Sequence, residues 1–324
     1  MTPRINDIAA FMKARHDIYL ARKAGKPGPW TTDPILLEGR FCNIFRELDT
    51  VTIWIDQNIR QPYADHPHLW FMLAIARYIN RPDTLRYLMD DAEPGCWPYD
   101  PGFTPAGITE ALEEYAAQGN KVYTGAYTIR AERYPYKEWY GWSKHRYIAE
   151  IVLGRLWEDR ERFAAELEKP GQTLEGAWKL FQEPRYVGWG PFMAYEVVTD
   201  LRHTRYLREA TDIFTWANAG LGAIRGLNRL YGRELGAKPK PERTNAEMLK
   251  LMIELNDLDE PAFNETFGEP CDVNPRFEMR DIEHTLCEFD KYERVRRGEG
   301  KMRSKYDWRK AQPLAAPTPE PCAA

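Results

Sequence analysis

A chain of 324 residues and 37.9 kDa is long enough for one large domain or two ordinary ones. With 45 Lys and Arg against 49 Asp and Glu, the net charge is −4, which excludes a histone-like polycation and confines any nucleic-acid contact to local patches. A mean hydropathy of −0.62, and no apolar run of about 18 residues, exclude a membrane-spanning helix.

The apolar spacing is helical nearly throughout. Ile5, Ile8, Ala9, Met12 and Ile18 predict a helix over 4–23, ended by Gly25-Lys-Pro-Gly-Pro-Trp30. A second helix is predicted over 33–59, because Phe41, Ile44, Phe45, Leu48, Val51 and Ile55 recur every three or four residues. A buried helix follows at 68–79, ended by Asn80-Arg-Pro82, and a short one at 108–118. Residues 121–147 resist assignment. They hold eight aromatics and six basic residues against two acids. Helices return at 145–168, 173–182, 191–201, 244–255 and 279–297, and 312–324 reads as a disordered tail. The fold class is therefore all-α (mainly α). The expected organisation is an N-terminal helix and linker over 1–30, one helical domain over 31–310 and a tail over 311–324.

Several chemistries are excluded by missing residues. Serine occurs only at Ser143 and Ser304, neither in GxSxG, which removes a serine hydrolase. No GxxxxGK[ST], HExxH or GxGxxG stands in the chain. Five scattered cysteines without a CxxC pair read as reduced thiols, and no apolar signal core follows Met1. The expectation is a cytoplasmic protein with no membrane contact.

Three segments carry candidate chemistry. Val187-Gly-Trp-Gly-Pro191, between two helices, resembles a helix-hairpin-helix turn. Gly188, Trp189 and Gly190 are its DNA-binding candidates, because N–H groups at the second helix's start can hold a phosphate. The alternative is an ordinary glycine turn between helices. In DNA glycosylases built on such a hairpin a catalytic Asp follows it, and Asp212 stands at that place. Asp200 is the rival carboxylate, and its place at a helix end predicts a capping or salt-bridge role. The bifunctional glycosylases' Lys is replaced by Phe192, so Schiff-base chemistry has no support. Gly220, Gly222, Arg225 and Gly226 make either an anion-binding loop or a tight helix-packing corner. On 279–297, His284, Cys287, Glu288 and Lys291 share a face, with Glu283 beside them. A lone His-x-x-Cys has no second pair, so no metal is expected. Residues 291–310 then hold nine basic residues against three acids, a phosphate-facing patch in which Arg297, Lys301 and Arg303 are DNA-binding candidates.

Four stretches together resemble the glycosylase-fold DNA base hypermodification family of bacterial viruses. They are Gly39–Asp49, Thr124–Tyr127, the hairpin through Gly222–Leu227, and Ile282–Tyr292 with its basic continuation. That family includes the helical domain of 5-hydroxymethyluracil DNA kinases and the α-glutamyl/putrescinyl thymine pyrophosphorylases, or amino acid:DNA transferases. The resemblance implies a helix-hairpin-helix glycosylase-like architecture and modified viral DNA as partner, in an infected bacterial cell. It also implies a base extruded into a pocket. Asp212, Glu283 and His284 become acid–base candidates. Arg40, Asn43, Arg46, Tyr127, Arg225 and Lys291 become candidates for holding the base or its phosphate. The missing Walker A favours displacement of pyrophosphate by an amino acid or polyamine, with a separate kinase as partner. The alternative is the kinase itself, with ATP and Mg2+. A true glycosylase and a non-catalytic DNA-binding module are further alternatives.

Overall fold

The computed structural model describes residues 4–129, 141–270, 275–302 and 304–311. The principal helices, in chain order, are α1 (Ile5–Lys23), α2 (Pro34–Glu38), α3 (Leu69–Ile79), α4 (Pro105–Ala117), α5 (Leu174–Phe181), α6 (Pro191–Leu201), α7 (Leu221–Leu230), α8 (Pro241–Asn256), α9 (Pro261–Phe267) and α10 (Met279–Arg296). Among the described residues there is no strand, only an isolated antiparallel bridge between Gly39 and Lys305. The all-α expectation holds. No described helix is long and apolar enough to cross a membrane.

The chain forms two compact units: Met1–Ile53 with Asp212–Ala324, and Trp54–Thr211. This differs from a single domain over 31–310. The N-terminal helix is also no appendage. Ile8, Phe11 and Met12 of α1 are buried, and α1 packs on α8, α9 and α10.

In the continuous unit, α3 is buried along its whole length. Asn80 ends it in the left-handed region at φ 47°, where Asn is tolerated better than most residues. Trp70 of α3 stacks on Phe163 at 4.4 Å, and Phe181 meets both Phe163 and Trp189. Arg77 forms a fully buried pair with Asp200 of α6, with Nη2 donating to Oδ1 at 2.9 Å. Asp200 thus has the salt-bridge role expected of it.

In the discontinuous unit, α7 lies against α10. A Cβ on Gly222 would fall 2.4 Å from Cys287 Sγ, and one on Gly226 would fall 2.3 Å from the Leu286 carbonyl oxygen. The glycine segment is therefore a helix with two packing glycines, and the packing-corner reading describes it. Gly220 stands at the N-cap of that helix rather than within a loop.

The continuous helix expected over 33–59 is also corrected. After α2 the chain leaves the helix at Gly39, makes one 3-10 turn at Arg46–Leu48 and resumes α-helix at Thr50–Ile55. A Cβ on Gly39 would meet Met302, Phe41 and the Ile35 carbonyl within 2.6 Å. The residues that follow find hydrogen-bond partners from elsewhere in the fold, which outcompete the local helix.

Candidate functional site

The loop over 39–49 is held by α10. A capping box between Glu278 and Asp281 sets the start of α10, so its faces are fixed in register. Its side chains then engage consecutive backbone groups of the loop. Lys291 Nζ donates to the Arg40 carbonyl at 3.0 Å. Glu288 Oε2 accepts the Cys42 N–H at 3.0 Å. His284 Nε2 lies 3.2 Å from the Asn43 carbonyl oxygen. From α1, buried Arg15 donates to the Phe41 carbonyl at 3.1 Å. Each residue from 40 to 43 thus has a backbone group satisfied by a side chain, which is how an irregular segment survives partial burial.

Asn43 closes the loop on itself. Its N–H donates to Asp49 Oδ1 at 2.8 Å, and its side-chain amide donates to the Leu48 carbonyl at 2.7 Å. A thiol, a carboxylate and an imidazole meet as a result. The Cys42 sulfur, an Asp49 oxygen and a His284 ring nitrogen all lie within 4.8 Å of one another, each residue half-buried. Desolvation, reinforced by Asp49 and Glu288, pushes the Cys42 thiol well above its ordinary pKa. Burial lowers the Arg15 pKa, and Asp49, Cys42 and Glu288 oppose that shift. Lys291 is paired with Glu288 at 2.6 Å. On the outer side, Arg40 Nε donates to the Lys305 carbonyl at 3.0 Å, and the Tyr306 N–H to the Glu38 carbonyl at 2.7 Å.

Of the residues nominated from sequence, Arg40, Asn43, His284 and Lys291 are assembled here. Arg46 sits in a single 3-10 turn over Arg46–Leu48 of the same loop. Glu283 is engaged differently: its Oε1 accepts the Gly220 N–H at 3.1 Å, at the N-cap of α7. Arg225 is paired with Asp290 at 3.0 Å, which takes up the charge expected to meet a phosphate. Asp212 lies in a turn whose carbonyl accepts the Thr215 and Trp216 N–H groups.

Tyr127, Gly188, Trp189 and Gly190 belong to the other unit. The Tyr127 hydroxyl donates to buried Glu196. Gly188 has φ 86°, a conformation open chiefly to glycine, whereas Gly190 has an ordinary extended backbone at the N-cap of α6. Trp189 is 3% exposed and its indole N–H donates to the Val152 carbonyl at 3.1 Å. Its ring therefore anchors the turn from the protein side. Arg297 pairs with Glu293 at 2.7 Å, while Lys301 is exposed. Arg303 lies outside the described residues, as do residues 130–140 of the aromatic segment and the tail from 312.

Sequence reasoning nominated none of Arg15, Cys42 and Asp49 as functional, and named Glu288 only as a member of the face on 279–297. Arg15 carried a signal: it falls on the same helical face as Ile8, Phe11, Met12 and Tyr19, where a charge needs a partner.

The model of the family described as "5-hmdU DNA kinase, helical domain" matches residues 2–302. The chain belongs to that family. A curated relative of this helical-domain family, the "5-hmdU DNA kinase" of Bacillus phage SP10, is 24% identical over 311 residues. That alignment covers 92% of this chain and 45% of the relative, so the chain spans under half the length of the relative it matches. No solved structure matches this chain.

Proposed function

We propose that this chain binds the 5-hydroxymethyluracil base of viral DNA and presents its hydroxymethyl group for phosphorylation. The carrying observation is that two stretches of the family resemblance, 39–49 and 282–292, meet at one half-buried cluster of thiol, carboxylate and imidazole. The kinase name of the Bacillus phage SP10 relative supports the same branch.

In this reading the base leaves the stack, at a cost of a few kcal/mol, and its edge meets the 39–49 loop. His284, with Asp49 beside it, accepts the hydroxymethyl proton as the oxygen attacks a phosphoryl group. Arg40 and Arg46 supply positive charge, and Lys291 orients the loop. Tyr127 and the hairpin at Gly188–Gly190 contact the nucleic acid elsewhere, and Lys301 and Arg303 track its backbone. Asp212 is the reserve general base, whereas Glu283 caps α7. Phosphorylation would need ATP and Mg2+, and no GxxxxGK[ST] occurs in this sequence to hold them. That same observation favours a second reading, in which the chain displaces pyrophosphate from the modified base with an amino acid or polyamine.

The test uses duplex DNA carrying 5-hydroxymethyldeoxyuridine, with and without prior pyrophosphorylation. Each is incubated with the protein, ATP, Mg2+ and a pool of amines. One series also contains the part of the Bacillus phage SP10 relative that lies outside the aligned 45%. Binding at least tenfold tighter than to thymine DNA, and a phosphate mass gain dependent on this chain, are expected. Equal binding to thymine DNA, with no chain-dependent phosphate, overturns the proposal. Amine gained only on pyrophosphorylated DNA establishes the second reading, and free base would mean a glycosylase.

A further inference from the structure

We propose that Cys42, Asp49 and His284 bind one divalent ion of the zinc class and leave it an open coordination position. One sulfur, one carboxylate oxygen and one imidazole nitrogen within 4.8 Å of one another can surround a single ion at ordinary ligand distances of about 2.0–2.3 Å. Three protein ligands with a free fourth position is the pattern of catalytic zinc sites, and the sulfur disfavours Mg2+ and Ca2+.

The surroundings of the three side chains match what metal ligands need. His284 Nε2 faces a backbone carbonyl, that of Asn43, which can only accept. Such a carbonyl behind an imidazole fixes its tautomer and orientation. Asp49 Oδ1 is oriented by two donors of Asn43, its N–H at 2.8 Å and its side-chain amide at 3.1 Å. The Cys42 N–H is tied to Glu288, which fixes the residue carrying the sulfur. The nearby cations have other partners: Lys291 is paired with Glu288, and Arg15 donates to the Phe41 carbonyl.

On binding, the Cys42 S–H bond breaks, its electron pair forms the sulfur–metal bond and the proton passes to bulk buffer. The site then gains one net positive charge. With the ion bound, His284 is a ligand and no longer the proton acceptor; the ion would instead polarise and acidify a hydroxyl oxygen held in the open position. Binding itself does not rest on the DNA reading, since it is measured without nucleic acid.

The test adds Co2+, a spectroscopic stand-in for Zn2+, to the metal-free full chain. One equivalent is expected, with a thiolate-to-cobalt absorption and tetrahedral visible bands displaced by Zn2+ and not by Mg2+. Cys42→Ser should abolish the thiolate absorption, Cys287→Ser should retain it, and His284→Ala should weaken binding at least tenfold. A second measurement needs no variant: Zn2+ should protect Cys42 from alkylation in the wild-type chain, as read by peptide mass. Absence of stoichiometric Co2+ binding, a signal that survives Cys42→Ser, or alkylation of Cys42 unaffected by Zn2+ would each overturn the site.

Discussion

The Cys42 peptide N–H donates to the Glu288 carboxylate at 3.0 Å across 246 positions of sequence. This bond decides the path of the loop over 39–49, since the same N–H would otherwise serve a helix that the apolar spacing favours. Replacing Glu288 by Ala should cost about 2–3 kcal/mol, because it orphans a partly buried donor and the Lys291 charge. Glu288→Gln keeps an acceptor and should cost less. Urea unfolding of both variants, with hydrogen exchange at the Cys42 amide, reads the difference.

Gly226→Ala should destabilise the chain by about 1–3 kcal/mol or more. Its new Cβ would lie 2.3 Å from a backbone oxygen of α10, which has no rotamer with which to move away. Gly236→Ala meets nothing within 4 Å and should stay within about 0.5 kcal/mol of wild type. Equal thermal midpoints for the two variants would contradict the close approach of α7 and α10.

Asp200→Ala leaves the Arg77 guanidinium buried without its partner, and should cost about 3–5 kcal/mol. The double variant Arg77→Met with Asp200→Leu should recover most of that loss. A double-mutant cycle by denaturant unfolding measures the coupling.

His16 predicts acid sensitivity. It is buried between Tyr19 and Phe267, and desolvation, aided by Arg15, lowers its pKa from 6.5 to about 4. Below pH 6.5 the unfolded chain binds a proton that the folded chain refuses. Stability from this group is therefore complete above pH 6.5 and lost as pH falls towards 4, with a slope approaching about 1.4 kcal/mol per pH unit. Thermal midpoints measured from pH 7.5 to 4.5 should fall for wild type and fall less for His16→Phe.

DNA affinity should depend steeply on salt if the exposed basic residues face phosphates. Lys301→Ala should lower the slope of log K against log salt by about 1, while Arg225→Ala, whose charge is engaged by Asp290, should leave it nearly unchanged. Fluorescence anisotropy at several salt concentrations distinguishes them.

The sequence was most informative where one face of a helix is simply buried. The helices predicted at 68–79, 173–182, 191–201 and 279–297 fall within a residue or two of α3, α5, α6 and α10, because local periodicity and caps define them. It failed at 39–49 for the opposite reason. Phe41, Ile44 and Phe45 have helical spacing, but the backbone of Arg40, Phe41 and Cys42 is claimed by Lys291, Arg15 and Glu288, distant partners that no local window contains. The glycines of α7 were ambiguous since a small residue suits both a loop and a close helix contact. His284 and Lys291 were legible as one face of α10. Cys42 and Asp49, which complete the cluster with His284, were not, because only the folded loop brings them there.

The pairing of Gly39 with Lys305 carries a consequence for how the molecule is born. On the ribosome, residues 54–211 emerge as a continuous unit and can fold while synthesis proceeds, since domains generally fold as units. The loop bearing Cys42 and Asp49 is made early but must wait, unpaired, for α10 and Lys305 to emerge. Newly made chains should therefore acquire the cluster last, and an interruption of translation before α10 would release a protein with one finished half and an unassembled site.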